Sequence, residues 1–279
     1  RALALVRAAA EAGADAVKLQ TYTADTMTMD GDGPWFRIEG GPWHGRRLHE
    51  LYREAGTPWE WHAELFACAR EHGLLCFSTP FDATSLAYLE GLGSPCHKVA
   101  SFEVTDLPFL RRVGATRKPV ILSTGMATLD EITTAVETLR AAGSGDLVLL
   151  HCVSAYPARA EDMHLRSIGD LAVRFACQGG LSDHSLAPVA ATCAAALGAV
   201  LIEKHLTLRR ADGGPDAGFS LEPEEFAATV QAVRAARAAA AGAPHYGPCA
   251  ADTPNLRFRR SLFYARDLPA GHVLGPDDL

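Results

Sequence analysis

Lysine is scarce in this 279-residue chain: only four of its 26 basic residues are lysines, at positions 18, 98, 118 and 204. Lys18 and Lys98 fall inside apolar strand patterns, although arginine carries most of the positive charge. A buried ammonium group is costly without an anionic partner. The pattern predicts that these two lysines bind a phosphate or carboxylate group. An internal salt bridge to Glu103 or Glu203 is the structural alternative.

Several patterns that would indicate other classes of protein are also absent. No apolar run reaches the ~20 residues that a membrane-spanning helix needs, and the amino terminus forms no signal peptide. The net charge of −7 argues against non-specific binding to nucleic acid. The seven cysteines contain no CxxC pair, and four of them fall in or beside apolar strand patterns. We therefore expect a cytoplasmic protein without a structural zinc site.

Apolar runs of strand length alternate with helical patterns along most of the chain. Nearly continuous apolar runs are typical of parallel strands that are buried on both faces. The predicted strands cover residues 16–20, 74–78, 97–101, 120–123, 147–152, 176–182 and 199–205. Polar residues gather where these strands end, as they do around the active site of a (β/α)8 TIM barrel. An open doubly wound sheet would alternate similarly, but no GxGxxG follows the first strand, so the α/β barrel is favoured.

Two histidines lie at equivalent strand ends in residues 180–205, GLSDHSLAPVAATCAAALGAVLIEKH. Side chains alternate along a strand, so Ser182 and His184 share one face, as do Glu203 and His205. In a parallel strand–helix–strand unit, the two imidazoles would lie roughly 5 Å apart. Such a pair could hold one divalent metal at about 2.1 Å and leave positions open for substrate. Two unrelated histidines with local hydrogen bonds are the alternative interpretation.

The remaining segments define the domain organisation. Residues 21–57 form a long polar excursion with Trp35 and Trp43, which is either a functional lid or a plain insertion. Residues 1–241 are predicted to form the barrel, 242–256 a linker, and 257–279 the beginning of a small second domain with a short strand after Phe258. A closed barrel needs eight strands and seven are predicted. We therefore expect one more strand upstream and several tens of residues downstream.

The chain resembles the sialic acid synthase family in six motifs that occur in the family's order: KLQTYT (18–23), FSTPFD (77–82), ILSTGMA (121–127), GLSDHS (180–185), IEKH (202–205) and GGPDAGFSLEPEEF (213–226). The resemblance covers essentially the whole chain. It implies a TIM barrel followed by an antifreeze-like (SAF) domain, and a condensation of phosphoenolpyruvate with an amino sugar. Other segments, such as TYTADTMT (21–28) and CVSAYPA (152–158), look most like the pseudaminic acid synthase branch. That branch acts on 2,4-diacetamido-2,4,6-trideoxy-altrose.

The resemblance also implies roles for individual residues. His184 and His205 match the family's metal ligands, with Mn²⁺ expected and Mg²⁺ or Co²⁺ as alternatives. The positions that match the phosphoenolpyruvate site are Lys18, Thr79, Lys98, Ser101, Ser123, Ser154 and Ser182. Those that match the sugar site are Gln20, Tyr156, Glu203 and Asp216. Lys18, Lys98 and Glu203 are the expected catalytic groups, and Glu103 would orient the lysine strand.

The resemblance also implies features of the family that lie outside these motifs. Members carry a catalytic Glu on a strand before the first helix, and an Arg from the SAF domain of a neighbouring subunit reaches the sugar. A homodimer with exchanged SAF domains is therefore implied. Trp35 or Tyr22 would supply an apolar surface for the 6-deoxy carbon of the sugar. The alternatives are an N-acetylneuraminate or legionaminate synthase and a non-catalytic sugar-phosphate-binding barrel.

Overall fold

The computed structural model describes residues 1–278 and contains one parallel sheet of seven strands. The strands lie side by side in chain order, so each pairs in parallel with the next. All carboxyl ends therefore meet at one edge of the sheet. The strands are β1 (Ala16–Thr21), β2 (Leu75–Pro80), β3 (His97–Val99), β4 (Val120–Ser123), β5 (Leu147–Cys152), β6 (Gln178–Asp183) and β7 (Ile202–Lys204).

Helices connect successive strands, as the alternating pattern predicted. Thr128 and Glu131 form a capping box that fixes the start of the helix that follows β4. The α-helices of residues 1–278 are α1 (Ala2–Glu11), α2 (Ala24–Met27), α3 (Leu48–Ala55), α4 (His62–Glu71), α5 (Ala83–Gly91), α6 (Leu107–Ala115), α7 (Leu129–Ala141), α8 (Ser167–Arg174), α9 (Val189–Ala196) and α10 (Pro223–Ala239).

The sheet is curled, because its two edge strands approach one another. Six inter-strand steps would separate β1 from β7 by roughly 29 Å in a flat sheet. The ammonium nitrogen of Lys18 on β1 nevertheless lies 3.0 Å from the Glu203 carboxylate on β7. The seven predicted strands are confirmed, and they form a barrel-like curl. Within residues 1–278 the sheet contains no eighth strand that would close it.

Several predicted strand boundaries are wrong, among them the start of the last strand, which was predicted at residue 199 and lies at Ile202. The strand predicted from residue 176 starts at Gln178, because Ala176 has a φ of 44°, which a strand cannot contain. The strand predicted over 97–101 ends at Val99, where a 3₁₀ turn over Ser101–Glu103 follows. The last strand stops at Lys204, because the carbonyl of His205 accepts a hydrogen bond from the amide of Leu221 instead.

The main hydrophobic core lies between strands β3–β5 and helices α6 and α7. Val99, Leu122 and Leu149 project from the strands, Leu110 and Leu139 project from the helices, and all five side chains are fully buried. Burial of a side chain of this size contributes about 1.5–3 kcal/mol. This core holds the middle strands in place and thereby fixes the positions of the side chains at their ends.

The polar excursion at residues 21–57 has more structure than a plain loop. It contains α2 and α3, and an antiparallel bridge between Arg37 and Arg47 closes a turn, here called the 38–46 turn. Two backbone hydrogen bonds stabilise this turn, from Ile38 to Arg46 at 3.0 Å and from Gly45 to Ile38 at 2.9 Å. The turn carries Trp43 near its tip.

The chain divides into two compact units, Arg1–Ala240 and Ala241–Leu279. Residues 241–278 contain 3₁₀ segments at Ala250–Phe258 and Pro276–Asp278 and no strand. The short strand predicted after Phe258 is therefore wrong, because this apolar run has no neighbouring strand in the unit to pair with. The linker boundaries and the assignment of this unit to a SAF domain stay predictions.

Two expectations drawn from composition can be compared with the fold. Cys76, Cys96 and Cys152 are buried and Cys177 is partly buried, as expected for small apolar residues in strands. No α-helix within residues 1–278 combines the length and the apolar character that crossing a bilayer requires.

Gly180 of β6 occupies a position where the fold leaves no room for a side chain. A Cβ atom there would lie 2.5 Å from the Leu201 carbonyl oxygen and 2.6 Å from Leu150 Cδ2. Gly180→Ala should therefore lower the free energy of unfolding by about 1–3 kcal/mol through overpacking, as measured by chemical denaturation. Gly169→Ala in α8 is the matched control, because nothing lies within 4 Å of that Cβ position. It should be neutral or stabilise by up to about 1 kcal/mol, and equal destabilisation by both would contradict the argument.

Candidate functional site

The Glu203 carboxylate on β7 lies at the centre of a charged cluster inside the curl of the sheet. Its Oε1 lies 3.0 Å from Lys18 Nζ and accepts a 2.9 Å hydrogen bond from Ser182 Oγ. Burial acts to raise the pKa of Glu203, but the ammonium groups of Lys18 and Lys98 hold it well below its usual range. The cluster is therefore ionised at neutral pH. The internal salt bridge considered as an alternative for the lysines is present for Lys18.

Lys98 of β3 differs, because only neutral oxygen atoms accept hydrogen bonds from its ammonium group. The side chain is 1% exposed, and Nζ donates to the Val99 carbonyl at 2.8 Å and to Ser123 Oγ at 2.7 Å. Within residues 1–278 no carboxylate lies within ion-pair distance of it. Burial lowers the pKa of Lys98 to about 8. A buried ammonium group with neutral partners is the arrangement expected where a ligand supplies the anion.

Several of the predicted hydroxyl groups are buried beside these lysines. Thr79 Oγ1 and Ser154 Oγ have no hydrogen-bond partner among residues 1–278, whereas Ser101 Oγ accepts a 3.0 Å bond from the amide of Gly125. A Cβ on Gly125 would lie 2.5 Å from Ser154 Oγ and 2.8 Å from Ser101 Oγ, so glycine is needed for the hydroxyls to converge. An unsatisfied buried hydroxyl costs about 1–3 kcal/mol. This cost indicates that a ligand or water completes their hydrogen bonds.

The two predicted histidines are adjacent, as the strand register required. Their ring centroids lie 5.4 Å apart. His184 Nδ1 lies 2.9 Å from the Val153 carbonyl and must donate its hydrogen there, which leaves Nε2 as the ligand atom. His205 Nδ1 lies 3.5 Å from Asp216 Oδ2. Burial lowers the pKa of His205 to about 3, with further lowering from Lys18, so this ring is neutral.

The histidine pair fits a divalent metal as a partial ligand set. Neutral imidazole nitrogens suit Mn²⁺, Co²⁺ and related ions. Burial acts to lower the pKa of His184, but contacts with the Cys152 thiol and the Val153 carbonyl raise it overall. Residues 1–278 contain no group of three or more His, Cys, Asp or Glu side chains placed to hold a metal. Further ligands would therefore come from substrate or water.

A buried ion pair behind the histidines ties their two strands together. Lys204 Nζ lies 2.8 Å from Asp183 Oδ2 and donates a 2.6 Å hydrogen bond to the Ser185 carbonyl. Both side chains of the pair are almost fully buried, at 3% and 0% exposure. Asp183 precedes His184 and Lys204 precedes His205, so the pair fixes the spacing of the two imidazoles from the opposite face of the strands.

Three aromatic rings, here called the aromatic layer, cover the histidine pair: Trp43, Tyr156 and Phe219. The centroid of Tyr156 lies 4.4 Å from that of His184, and the centroid of Phe219 lies 5.0 Å from that of His205. Trp43 packs against Tyr156 at 5.4 Å and against Phe219 at 5.9 Å. The layer therefore gives the site one apolar side next to its charged one.

Some of the sequence predictions do not match this arrangement. Trp35 is 86% exposed, and Tyr22 is buried against Tyr52 and Phe81. That either ring supplies an apolar surface for the 6-deoxy carbon stays a prediction. Glu103 makes no ion pair or hydrogen bond with a lysine, so it does not orient the lysine strand by contact. Burial instead raises its pKa to about 7. Gln20 lies on β1 in register with Thr79, at the same edge of the sheet.

Sequence reasoning missed Trp43 and Phe219 as members of the site. Phe219 belongs to the GGPDAGFS motif, so its position next to Asp216 was the available signal. Apart from the position of Trp43 on the polar excursion, nothing in the sequence indicated that this residue belongs to the site. It reaches the site only because the 38–46 turn folds against a distant segment of the chain.

The fold and the site together define a class of protein, a parallel α/β protein with two buried lysines beside a pair of histidines. Residues 5–244 match the NeuB family. The chain belongs to that family, and the resemblance to sialic acid synthases drawn from its motifs is confirmed.

Individual relatives agree with this assignment. The chain is 41% identical to the pseudaminic acid synthase of Campylobacter jejuni subsp. jejuni serotype O:23/36 (strain 81-176), over 100% of this chain and 81% of the relative. It is 36% identical to the N,N'-diacetyllegionaminic acid synthase of Legionella pneumophila, over 99% of this chain and 78% of the relative. The crystal structure of N-acetylneuraminic acid synthetase from Leptospira borgpetersenii, in complex with citrate, matches with a TM-score of 0.80 at 31% identity. That match covers 94% of this chain and 86% of the other.

Loss of either imidazole should weaken metal binding. His184→Ala or His205→Ala should reduce the affinity for Mn²⁺ by at least about 10-fold, because each removes one ligand of the pair. Isothermal titration with Mn²⁺ measures this directly. His164→Asn is the control, because His164 is exposed in the loop before α8 and has a φ of 40°, which Asn tolerates. Similar affinities in all three variants would show that the pair does not bind the metal.

Proposed function

We propose that this chain is a pseudaminic acid synthase, a C–C bond-forming transferase. It condenses phosphoenolpyruvate with 2,4-diacetamido-2,4,6-trideoxy-altrose and water, giving a nine-carbon 2-keto sugar acid and phosphate. The observation that carries the proposal is the buried ammonium group of Lys98, which neutral oxygens alone hold beside unpartnered hydroxyls. Membership of the NeuB family and the 41% identity to a pseudaminic acid synthase support the choice of sugar.

Phosphoenolpyruvate fits the charged side of the site. Lys98 and Lys18 supply two ammonium groups for a substrate that carries up to three negative charges. Thr79 and Ser154 have free hydrogen-bonding capacity for its phosphate and carboxylate oxygens. Lysine suits such a pocket because its ammonium group is a compact point charge. Ser101, Ser123 and Ser182 line the same cluster through their contacts with Gly125, Lys98 and Glu203.

His184 and His205 would hold a divalent metal, with Mn²⁺ expected and Mg²⁺ or Co²⁺ as alternatives. When bound, the metal polarises the aldehyde oxygen of the open-chain sugar. Asp216 lies 3.5 Å from His205 Nδ1 and can orient this ring or contact the sugar. Tyr156 packs on His184, with ring centroids 4.4 Å apart, and is a candidate to contact the sugar.

The residues of this chain place the two reactants for carbon–carbon bond formation. The lysines hold phosphoenolpyruvate so that its C3 can attack the aldehyde carbon. Because both reactants are bound next to each other, the reaction between them becomes effectively unimolecular. The attack leaves positive charge at C2, where the ionised Glu203 can stabilise it and orient water. Water adds at C2, and the C–O bond to phosphate then breaks. Lys18, already 3.0 Å from Glu203, remains to stabilise the departing phosphate.

Other sugar substrates, and a protein without catalytic activity, are the alternatives to this proposal. The 36% identity to a legionaminic acid synthase favours the same chemistry on a legionaminic precursor, and N-acetylneuraminate synthesis from N-acetylmannosamine is the related alternative. A non-catalytic sugar-phosphate-binding barrel would keep the anion site without turnover. The family also supports, as proposals, a closed (β/α)8 barrel, a SAF domain and a homodimer that exchanges SAF domains.

The direct test is phosphate release from phosphoenolpyruvate by the purified full-length protein with a panel of aldoses. We expect release with the trideoxy-altrose, much slower release with N-acetylmannosamine, loss of activity in EDTA and recovery with Mn²⁺. Comparable rates with N-acetylmannosamine would favour a neuraminate synthase. Full turnover by metal-free protein would rule out the metal role. Binding of phosphoenolpyruvate without phosphate release from any aldose would favour the non-catalytic barrel.

Removal of a site lysine should weaken phosphoenolpyruvate binding specifically. Lys98→Met or Lys18→Met should raise the KM for phosphoenolpyruvate at least about 30-fold, since a buried charge-assisted contact contributes ~2 kcal/mol. Lys118→Met is the control, because Lys118 precedes β4 at the opposite end of the sheet and pairs with Glu90 at 2.6 Å. An unchanged KM in the Lys98 variant would contradict its proposed role.

The pH dependence offers a second check on Lys98. Its pKa of about 8 means that the protonated form, which binds the anion, is lost as pH rises through that value. The kcat/KM for phosphoenolpyruvate should therefore fall above about pH 8. Bound substrate stabilises the ammonium form of Lys98 and raises its pKa. The decrease of kcat at alkaline pH should therefore begin at a higher pH than the decrease of kcat/KM. The Lys98→Met variant should not show this decrease at alkaline pH.

A further inference from the structure

Trp43 joins two parts of the chain that lie far apart in sequence. Its indole Nε1–H donates a 2.8 Å hydrogen bond to the carbonyl oxygen of Pro215, 172 residues away. Trp43 sits near the tip of the 38–46 turn, which its own backbone hydrogen bonds hold in shape. The indole is partly buried, so water competes less for this bond than it would at an exposed position. The excursion therefore makes a specific contact with the segment around Pro215.

The segment that receives this bond carries two groups of the candidate site. Asp216 lies 3.5 Å from His205 Nδ1, and the ring of Phe219 lies 5.0 Å from that of His205. The segment begins with Gly213 and Gly214, whose φ values of 70° and 120° lie in the left-handed region. Glycine there permits the turn but restrains it little. Ser220 Oγ donates a 2.7 Å hydrogen bond to the Asp216 carbonyl and Arg210 donates a 3.0 Å bond to the Ser220 carbonyl, so these bonds hold the later part of the segment and contacts near Pro215 add to them.

Trp43 supplies such contacts on two sides. The hydrogen bond fixes the backbone immediately before Asp216, and the indole ring packs edge-on against Phe219 with an interplanar angle of 90°. The same ring packs against Tyr156, which lies on His184. The aromatic layer is thus continuous from the excursion to both histidines. It presents apolar carbon on one side of the histidine pair.

We propose that Trp43 is a positioning residue that sets the choice of sugar. It holds Asp216 and Phe219 beside the histidine pair and completes an apolar surface that favours a 6-deoxy carbon over a hydroxymethyl group. This inference rests on the proposed function and adds to it a residue that the family motifs do not include. An apolar surface discriminates against an added hydroxyl by about 10- to 100-fold.

Trp35 provides the matched control. It lies on the same excursion and has the same side chain, but it is 86% exposed and contacts neither histidine. Trp43→Ala removes both the hydrogen bond and the ring, whereas Trp43→Phe keeps an aromatic ring without a donor. Trp35→Ala removes an indole that the proposal does not use.

The experiment measures kinetics and hydrogen exchange on the same four proteins. Trp43→Ala should raise the KM for the trideoxy-altrose by about 10-fold, with the KM for phosphoenolpyruvate unchanged, and should reduce its preference over N-acetylmannosamine by a similar factor. Trp43→Phe should keep most of that preference. In both Trp43 variants, backbone amides of residues 213–220 should exchange faster than in the wild type. Trp35→Ala should match the wild type in every measurement.

The outcomes separate this inference from the proposed function. Hydrogen exchange needs no turnover, so faster exchange confined to residues 213–220 would support the positioning role even if the wild type released no phosphate. In that case the proposed function alone would fail. Unchanged exchange and an unchanged sugar KM in Trp43→Ala would overturn the inference. An equal rise in both KM values would also overturn it, because that pattern indicates general damage to the site. If Trp43→Ala fails to fold, the same criteria apply to Trp43→Phe.

Discussion

The ion pair between Lys18 and Glu203 connects the first and last strands of the sheet order, and the geometry of the site depends on it. The two side chains are only 20% and 14% exposed, and their charged atoms lie 3.0 Å apart. Removal of one partner from a buried pair typically costs about 3–5 kcal/mol, because the other charge is left without compensation. The pair therefore favours the curled form of the sheet. Ser182 and His205 lie next to Glu203 on the same face of the sheet. The pair therefore also fixes the position of these two side chains relative to the lysines.

Charge balance explains why this cluster suits a strongly anionic ligand. Lys18 and Lys98 contribute two positive charges and Glu203 one negative charge, which leaves a net charge of +1. A divalent metal at the two histidines would add to this positive charge, which favours a strongly anionic ligand such as phosphoenolpyruvate. Burial is the main cause of the lowered pKa of Lys98, and the nearby ammonium group of Lys18 lowers it further.

The sequence predicted those parts of the site that strand periodicity determines. Strand alternation brought Ser182 together with Glu203 and His184 with His205, because register in a parallel sheet leaves little freedom. It could not predict Trp43, because no local pattern encodes a contact between residues 43 and 215. The left-handed Ala176 likewise shortened a strand without any glycine to signal the turn. Long-range packing and unusual backbone angles were the missing information.

The site divides into a rigid rear and a more adaptable front. At the rear, the buried pair of Asp183 and Lys204 ties β6 to β7, so the spacing of the histidines is fixed by the sheet. At the front, two left-handed glycines begin the segment that carries Asp216, and contacts from another loop hold that segment in place. Changes in the front loops can alter which sugar fits without moving the lysines and histidines that are proposed to bind the anion and the metal. A family that joins one common substrate to different sugars would be expected to vary at these loops and to keep the sheet unchanged.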